Sequence, residues 1–174
     1  MQLIESFQTE HLAAQRFRPQ DYKDLCGMHQ DIRVMATLGG VRSDATTREF
    51  LQTGIEHWDT HGFGLWIFRA PDDGQFVGRG GLKYVHIGGN EEIELGYSLL
   101  PEYWGQGLAT EVARACLSIG LDQLGLDNIV CFTLTTNHAS ERVMQKVGFK
   151  FERRIEYDGQ PTLLYRYRVP STEI

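Results

Sequence analysis

The chain has 174 residues, a net charge of −6 at pH 7 and 41% apolar residues. That length predicts a single domain, residues 1–174, which buries about 70% of the surface that the unfolded chain exposes. The acidic composition without a Lys/Arg cluster argues against a nucleic-acid partner, and no apolar run reaches the roughly 18 residues of a membrane span.

Seven segments have the apolar or alternating pattern of β-strands, separated by turns rich in Gly, Pro and Asp. Four helices are predicted between them: one opened by Pro19, one capped by Ser43 or Asp44, one that follows Gly107, and one that begins at Asn137. The apolar face of the helix after Gly107 is typical of a core contact. The predicted strands are residues 12–17, 65–68, 76–85, 91–100, 128–134, 149–157 and 162–169.

The most informative segment is residues 103–111, with the sequence Tyr-Trp-Gly-Gln-Gly-Leu-Ala-Thr-Glu. It joins a strand to a helix through a tight Gly-x-Gly turn. The first N–H groups of a helix have no partner within it, and the helix dipole makes that end partly positive. Glycine lets the backbone approach a ligand closely. This segment therefore predicts a site for a pyrophosphate.

Two other nucleotide-binding patterns fit poorly. The P-loop sequence G-x-x-x-x-G-K-[ST] does not occur in the chain. A dinucleotide fold requires a third glycine, where this chain has Thr110, and a carboxylate at the end of the next strand, where it has Leu134-Thr135-Thr136. A dinucleotide oxidoreductase is therefore disfavoured.

A second segment follows strand 128–134. In residues 135–149, Asn137 opens a predicted helix that ends in Gly148-Phe149. Together the two segments resemble the GCN5-related N-acetyltransferase (GNAT) superfamily, in which residues 104–109 correspond to the acyl-CoA pyrophosphate loop. The sequence of residues 94–111 most resembles the branch of ribosomal-protein N-terminal alanine acetyltransferases. Residues 9–12 and 62–66 also fit that branch. The resemblance covers nearly the whole chain.

The resemblance implies an α/β (α+β) fold. Its central sheet is mixed but mostly antiparallel, has six to seven strands, splays open at the acyl-CoA site and is flanked by about four helices. The implied function is transfer of an acetyl group from acetyl-CoA to a primary amine, on a small molecule or a peptide N-terminus, by direct attack on the thioester. O-transfer, a longer acyl group, and an acyl-CoA sensor or inactive scaffold remain alternatives. Neither the acceptor nor the choice between monomer and homodimer follows from the sequence.

The resemblance also implies how acetyl-CoA binds as a co-substrate. The backbone of Leu99 and its neighbours would pair with the pantetheine arm as an added strand. The side chain of Asn137 would bond the arm from the other side, cap its helix, or do both. Gly96 marks either a bulge at the splay or a glycine merely tolerated in a strand. The pyrophosphate would contact Gly105, Gln106, Gly107, Leu108, Ala109 and Thr110.

The candidate general acid is Ser140. Many members of the family have a Tyr seven residues after the Asn, where this chain has Met144, which cannot donate a proton. Ser140 lies three residues after Asn137, on roughly the same helix face. In the ribosomal-protein branch, a Ser at this position protonates or hydrogen-bonds the CoA sulfur. A cap or a solvated serine is the alternative.

The candidate general base is Glu94, which shares a strand face with Gly96. It could take the amine proton through a water, or it could be a surface or salt-bridge residue. His86 on the partner strand is a rival, whereas Glu91 and Glu92 at the hairpin turn are expected to be solvated. A backbone N–H near residues 97–99 would polarise the thioester carbonyl.

Three further side chains are possible parts of the acceptor pocket, which the family builds from residues 34–61. They are Arg42, His57 and Tyr165, and the sequence does not choose among them. The ring of Trp104 is predicted to pack under the glycine turn rather than to contact CoA. A basic peptide or amine would suit an acidic protein.

The cysteines and the first residues bear on the compartment. Cys26, Cys116 and Cys131 are odd in number and far apart, so they match neither a disulfide framework nor a metal site. Residues 1–10 have neither the long apolar core nor the Arg-rich pattern of a targeting segment. We therefore expect a cytoplasmic protein that binds no metal.

Overall fold

The computed structural model describes residues 3–169, so the predicted domain, residues 1–174, extends beyond the described part at both ends. Eight strands are present: β1 Ser6–Gln8, β2 Ala13–Arg16, β3 Leu65–Arg69, β4 Phe76–Ile87, β5 Asn90–Leu99, β6 Asn128–Leu134, β7 Lys150–Tyr157 and β8 Gln160–Arg168. They form one sheet in the order β1-β2-β3-β4-β5-β6-β8-β7. Only β5 and β6 are parallel neighbours. The mixed, mostly antiparallel GNAT fold is thus confirmed.

In the described residues, five α-helices flank the sheet: α1 Tyr22–Gln30, α2 Ile32–Met35, α3 Asp44–His61, α4 Leu108–Ser118 and α5 His138–Val147. Four of them were predicted, and Ser43 caps α3 by accepting a hydrogen bond from Thr46 N. The single turn α2 and strand β1 were not predicted. Each has only three or four residues, which is too short to show a periodic pattern.

The long hairpin β4–β5 positions the candidate site. Gly88 and Gly89 turn the chain with φ of 57° and 84°. Arg79 pairs with Ser98, Gly81 with Gly96, and Lys83 with Glu94, without a shift in register. Of the two alternatives for Gly96, the bulge is therefore excluded: Gly96 pairs with another glycine, and the ladder continues regularly.

Helix α4 lies on one face of this hairpin, and the ion-pair partners Lys83 and Glu94 lie on the other face. A Cβ built at Gly80 would be 2.5 Å from Val112 of α4, so Gly80 faces that helix. Successive strand residues alternate between faces. Arg79, Gly81 and Lys83 therefore face away from α4.

The sheet splays open between β5 and β6. These strands pair at one register position, Glu94 opposite Val130. Leu100 N donates to Val77 O at 2.9 Å across the β4–β5 ladder. Because hydrogen-bonding direction alternates along a strand, the backbone groups of Tyr97 and Leu99 face the gap instead. The predicted splay is confirmed, and it arises at the β6 edge of β5.

The core fills both faces of the sheet and takes the apolar side of α4. Leu108, Val112, Cys116 and Ile119 are buried, whereas Ala115 is only half-buried. Within residues 3–169, no helix has both the length and the apolar character needed to cross a bilayer.

Candidate active site

Helix α4 begins with a backbone that no side chain caps. Its N-cap residue is Gly107, with φ 79° and ψ 0°, and Gly105 has φ 73°. These left-handed values favour glycine over residues with a Cβ. Glu111 N donates to Gly107 O at 3.0 Å, so the N–H groups of residues 108–110 precede the first intrahelical bond.

Space for a ligand lies over this turn. A Cβ built at Gly105 or Gly107 would meet no atom within 4 Å. The side chain of Leu108 is buried and that of Gln106 donates to Glu102 O, so the turn offers backbone rather than side-chain donors. The uncapped helix end and its dipole fit a pyrophosphate group.

Trp104 ties this turn to the end of β5. Its Nε1 donates to Leu99 O at 2.9 Å, and half of the residue's surface is exposed. The ring is therefore not packed under the turn as predicted, since its N–H reaches back to the strand. The Leu99 carbonyl is engaged by Trp104, which leaves the Leu99 N–H as the group directed to the gap.

One cavity at the splay brings the predicted catalytic groups together. It is lined by Glu94, Gly96, Tyr97, Asn137 and Ser140, among others. These residues come from β5 and from the start of α5. The gap between β5 and β6 thus opens where candidate acid and candidate base are both present.

Asn137 and Ser140 form the N-terminus of α5. Asn137 Oδ1 accepts a hydrogen bond from Ser140 N at 3.2 Å, so Asn137 caps the helix. This cap leaves the amide Nδ2 available as a donor in the cavity. Met144 is 1% exposed and belongs to the core, so this side chain is structural.

Tyr97 contacts the Ser140 hydroxyl across the splay. Tyr97 Oη lies 3.0 Å from Ser140 Oγ and 3.1 Å from Ser140 O. Burial raises the pKa of the Tyr97 phenol well above its ordinary value, so the phenol stays protonated. If Tyr97 donates to Ser140 Oγ rather than to the carbonyl, the serine keeps its own proton free for an acceptor in the cavity. The pair orients the serine hydroxyl within the cavity.

Glu94 lies on the face of the sheet opposite α4. Its side chain is 12% exposed, and Oε2 lies 3.3 Å from Lys83 Nζ. This ion pair lacks hydrogen-bond geometry, since Oε2 has no hydrogen-bond partner among residues 3–169. A Cβ at Gly96 would sit 3.3 Å from Glu94 Oε1, so the glycine keeps the space beside the carboxylate open.

The other residues considered for the base or the acceptor pocket lie outside the cavity at the splay or are held by other contacts. His86 is exposed and lines neither cavity described here. Glu92 is not simply solvated as predicted: both of its oxygens lie 2.9 Å from the Arg166 guanidinium. That contact holds the pKa of Glu92 below its usual range. Tyr165 Oη donates to Glu141 Oε1 at 2.6 Å and lines neither cavity.

The cavity continues along α3, in the region expected to hold the acceptor. A second cavity shares Arg42, Phe50 and Lys83 with the first. His57 lines this second cavity, but its Nδ1 donates to Phe63 O at 2.8 Å and its Nε2 accepts from Tyr84 N at 3.1 Å. With both nitrogens engaged and its pKa lowered by burial, His57 is a fixed neutral ring.

Sequence reasoning missed three side chains of this site. Tyr97 was considered only for its backbone, and Arg79 and Lys83 were not considered. Arg79 had a readable signal, because it is a lone charged residue between glycines in a buried strand. The pairing of Lys83 with Glu94 depends on the hairpin register, which the sequence leaves open.

The cysteines are free thiols, with Cys116 and Cys131 buried and Cys26 half-buried. In the described part of the chain, no group of three or more His, Cys, Asp and Glu side chains is placed to hold a metal ion. The expectations of a reducing compartment and of metal-free chemistry stay predictions.

Comparison with known proteins places this geometry in a family. The Bacillus subtilis protein YkkB is 28% identical over 158 residues, which are 90% of this chain and 92% of that protein. An acetyltransferase from Agrobacterium tumefaciens has the same fold, with a TM-score of 0.83 at 22% identity over 94% of each chain. A ribosomal L7/L12 alpha-N-protein acetyltransferase in complex with coenzyme A has a TM-score of 0.78 at 17% identity, over 95% of this chain and 98% of that one.

The family model for an acetyltransferase (GNAT) domain matches residues 11–150, a range that includes the glycine turn, the splay and the start of α5. Enzymes of this family use acetyl-CoA as the acyl donor. The chain therefore belongs to the GNAT acetyltransferase family and is an acyltransferase.

Proposed function

We propose that the protein transfers the acetyl group of acetyl-CoA to a primary amine of a small molecule or a peptide N-terminus. One observation carries the proposal: the gap between β5 and β6 opens into a cavity lined by both Glu94 and Ser140. The uncapped end of α4 supports the proposal, because it would offer free backbone N–H groups to the pyrophosphate of acetyl-CoA.

The co-substrate would be held by backbone groups. The N–H groups of residues 105–110 would bind the pyrophosphate. The gap-facing backbone of Tyr97 and Leu99 would pair with the amides of the pantetheine arm, and Asn137 Nδ2 would donate from the opposite side. One of the two strand N–H groups would also polarise the thioester carbonyl.

The side chains would manage protons. Glu94 would accept a proton from the amine, directly or through a water, so that the neutral amine attacks the carbonyl carbon. The new N–C bond forms as the C–S bond breaks, and the sulfur leaves as a thiolate. Ser140 Oγ would donate to that sulfur, with Tyr97 holding the hydroxyl in position. An amide and a free thiol are the products.

The test is release of free thiol from acetyl-CoA, with and without a panel of amines, amino acids and short peptides. We expect release that depends on the acceptor and an acetylated product of matching mass. Acetyl-CoA binding measured by calorimetry, with no release for any acceptor, would favour the sensor or scaffold alternative. Absence of acetyl-CoA binding would overturn the proposal.

A further inference from the structure

Arg79 is a buried cation that no carboxylate of the described residues contacts. It is 8% exposed and lines the cavity at the splay. Its Nε has no hydrogen-bond partner among residues 3–169, and no carboxylate in that range forms an ion pair with it. Buried charges in proteins are normally paired, because removal from water costs several kcal/mol. The guanidinium thus points into the cavity with its hydrogen-bonding capacity unused.

Its neighbours add positive charge. The guanidinium carbons of Arg79 and Arg42 lie 4.8 Å and 5.2 Å from the centre of the Phe50 ring, so both arginines flank one aromatic side chain. Arg42 is half-buried and lines both cavities. Its only side-chain hydrogen bond in the described chain is to His29 Nε2, at 3.5 Å.

His29 does not offset this charge. It is fully buried, and its Nδ1 lies 2.9 Å from Thr47 Oγ1. Burial together with Arg79 and Arg42 lowers the pKa of His29 to about 3, so the ring is neutral. The carboxylates that line the cavity are Glu94, which pairs with Lys83, and the exposed Asp158. The Arg79–Arg42 end of the cavity is therefore anion-binding in character.

The position of Arg79 separates it from the pyrophosphate site. Gly80 faces Val112 of α4, so Arg79, the preceding residue, points to the other side of the sheet. On that side it shares a face with Lys83 and Glu94, through the register of β4 and β5. The cation cluster thus lies on the side of the candidate base and of α3.

We infer that the acceptor is a small primary amine that carries a carboxylate, with Arg79 and Arg42 binding the carboxylate while the amine approaches Glu94. The inference rests on the proposed function. A guanidinium presents paired N–H donors that match the two oxygens of a carboxylate. Arg42 is half-buried and lines both cavities, so it is available as a second donor to the same anion. The net charge of −6 does not describe this local environment.

The experiment compares matched acceptors. A series of ω-amino acids of increasing chain length, together with α-amino acids, is tested as acceptors against the corresponding amides, which keep the amine and remove the negative charge. Aminoalkyl phosphonates distinguish a carboxylate site from one for phosphoryl groups. The variants are Arg79→Met, Arg79→Lys as the conservative change, and Arg48→Met as the matched control. Arg48 is on α3 beside Tyr22 and lines neither cavity.

We expect wild type to prefer the best acid over its amide in kcat/KM by about 10- to 100-fold, as for hydrogen bonds to charged groups. Arg79→Met should remove that preference, mainly through KM, while Arg79→Lys restores part of it and Arg48→Met keeps it. Affinity for acetyl-CoA should change less than about twofold. A loss of acetyl-CoA affinity in Arg79→Met would assign the cluster to the co-substrate and overturn the inference.

A binding measurement keeps this inference separate from the proposed function. Calorimetry with the same amino acids and amides needs no turnover. Binding of the acids that Arg79→Met abolishes, with no acetylation of any amine, would support the anion site and refute amine transfer. Acetylation of acids and amides at equal kcat/KM, with equal binding to wild type and Arg79→Met, would refute the anion site and leave amine transfer standing. A preference for phosphonates over carboxylates would also refute the carboxylate assignment.

Discussion

Two buried arginines of the central sheet have opposite electrostatic surroundings. Arg166 on β8 is 9% exposed and pairs with Glu92 and Glu152, while Arg79 on β4 is 8% exposed and forms no ion pair in the described chain. Hydrogen bonds to Glu92 raise the pKa of Arg166, whereas burial lowers that of Arg79 to about 10. The two arginines thus have different roles. Arg166 is part of a structural ion cluster, whereas Arg79 is available to bind an anionic ligand.

The sharpest test of this contrast is to replace each arginine by methionine. Arg166→Met leaves Glu92 without its cation, while Glu152 keeps its ion pair with Arg153, and should lower the free energy of unfolding by about 3 kcal/mol. Arg79→Met removes an uncompensated charge and should raise it, by up to about 3 kcal/mol. Urea denaturation at pH 7 measures both. Equal destabilisation by the two changes would show that Arg79 is also structurally paired.

A second test separates proton transfer from anion binding in the same cavity. Ser140→Ala should lower kcat about 100-fold or more, for acid and amide acceptors alike, because only the hydroxyl is lost. The backbone N–H that Asn137 Oδ1 accepts from is kept, so the α5 cap persists. Tyr97→Phe should have a smaller effect in the same direction.

Steady-state kinetics with calorimetry of acetyl-CoA binding checks the Ser140 result. Ser118→Ala is the control, because that exposed hydroxyl lies at the C-terminal end of α4 and donates to Asp122. Full turnover in Ser140→Ala would move the acid role to water or to another group.

The third test concerns the neutral His29 beside the two arginines. Its folded-state pKa of about 3 lies below the ordinary 6.5, so the unfolded chain binds a proton that the folded chain does not. Stability is therefore lost as pH falls from 6.5 toward 3, by about 2 kcal/mol at pH 5. Denaturation at a series of pH values should show a shallower dependence of the free energy of unfolding on pH for His29→Gln than for wild type.

The smallest expected effect concerns the second anion site, which is built from backbone rather than arginine. Gly107→Asn places an amide where the cradle is open, and Asn tolerates left-handed φ and caps helices. Its oxygen would occupy N–H groups that the pyrophosphate needs, so acetyl-CoA affinity should fall about tenfold. Gly125→Asn, also at an open position with φ 68°, is the control. Unchanged affinity in folded Gly107→Asn would refute the phosphate-loop assignment.

Much of the site could be predicted because its parts are local in sequence. The glycine turn, the Asn137 cap and the position of Ser140 one turn later each depend on a few adjacent residues. The remaining parts depend on contacts between distant strands. Tyr97 meets Ser140 across 43 positions, and Glu92 meets Arg166 across 74. The sequence does not record such distances, so Tyr97 was overlooked and Glu92 was expected in solvent.

The amino-acid sequence by itself determined the family, the order of the long strands and helices, and the backbone chemistry of the helix α4 terminus, because short-range patterns specify turns, caps and amphipathic faces. Only the tertiary structure decided which charged side chains line the acceptor side of the cavity. The register of β4 against β5 places Arg79, Lys83 and Glu94 on one face, and the packing of α3 brings Arg42 and Phe50 over it. Whether a charged side chain is paired or left open depends on which strands and helices meet, and that is settled only when the sheet forms.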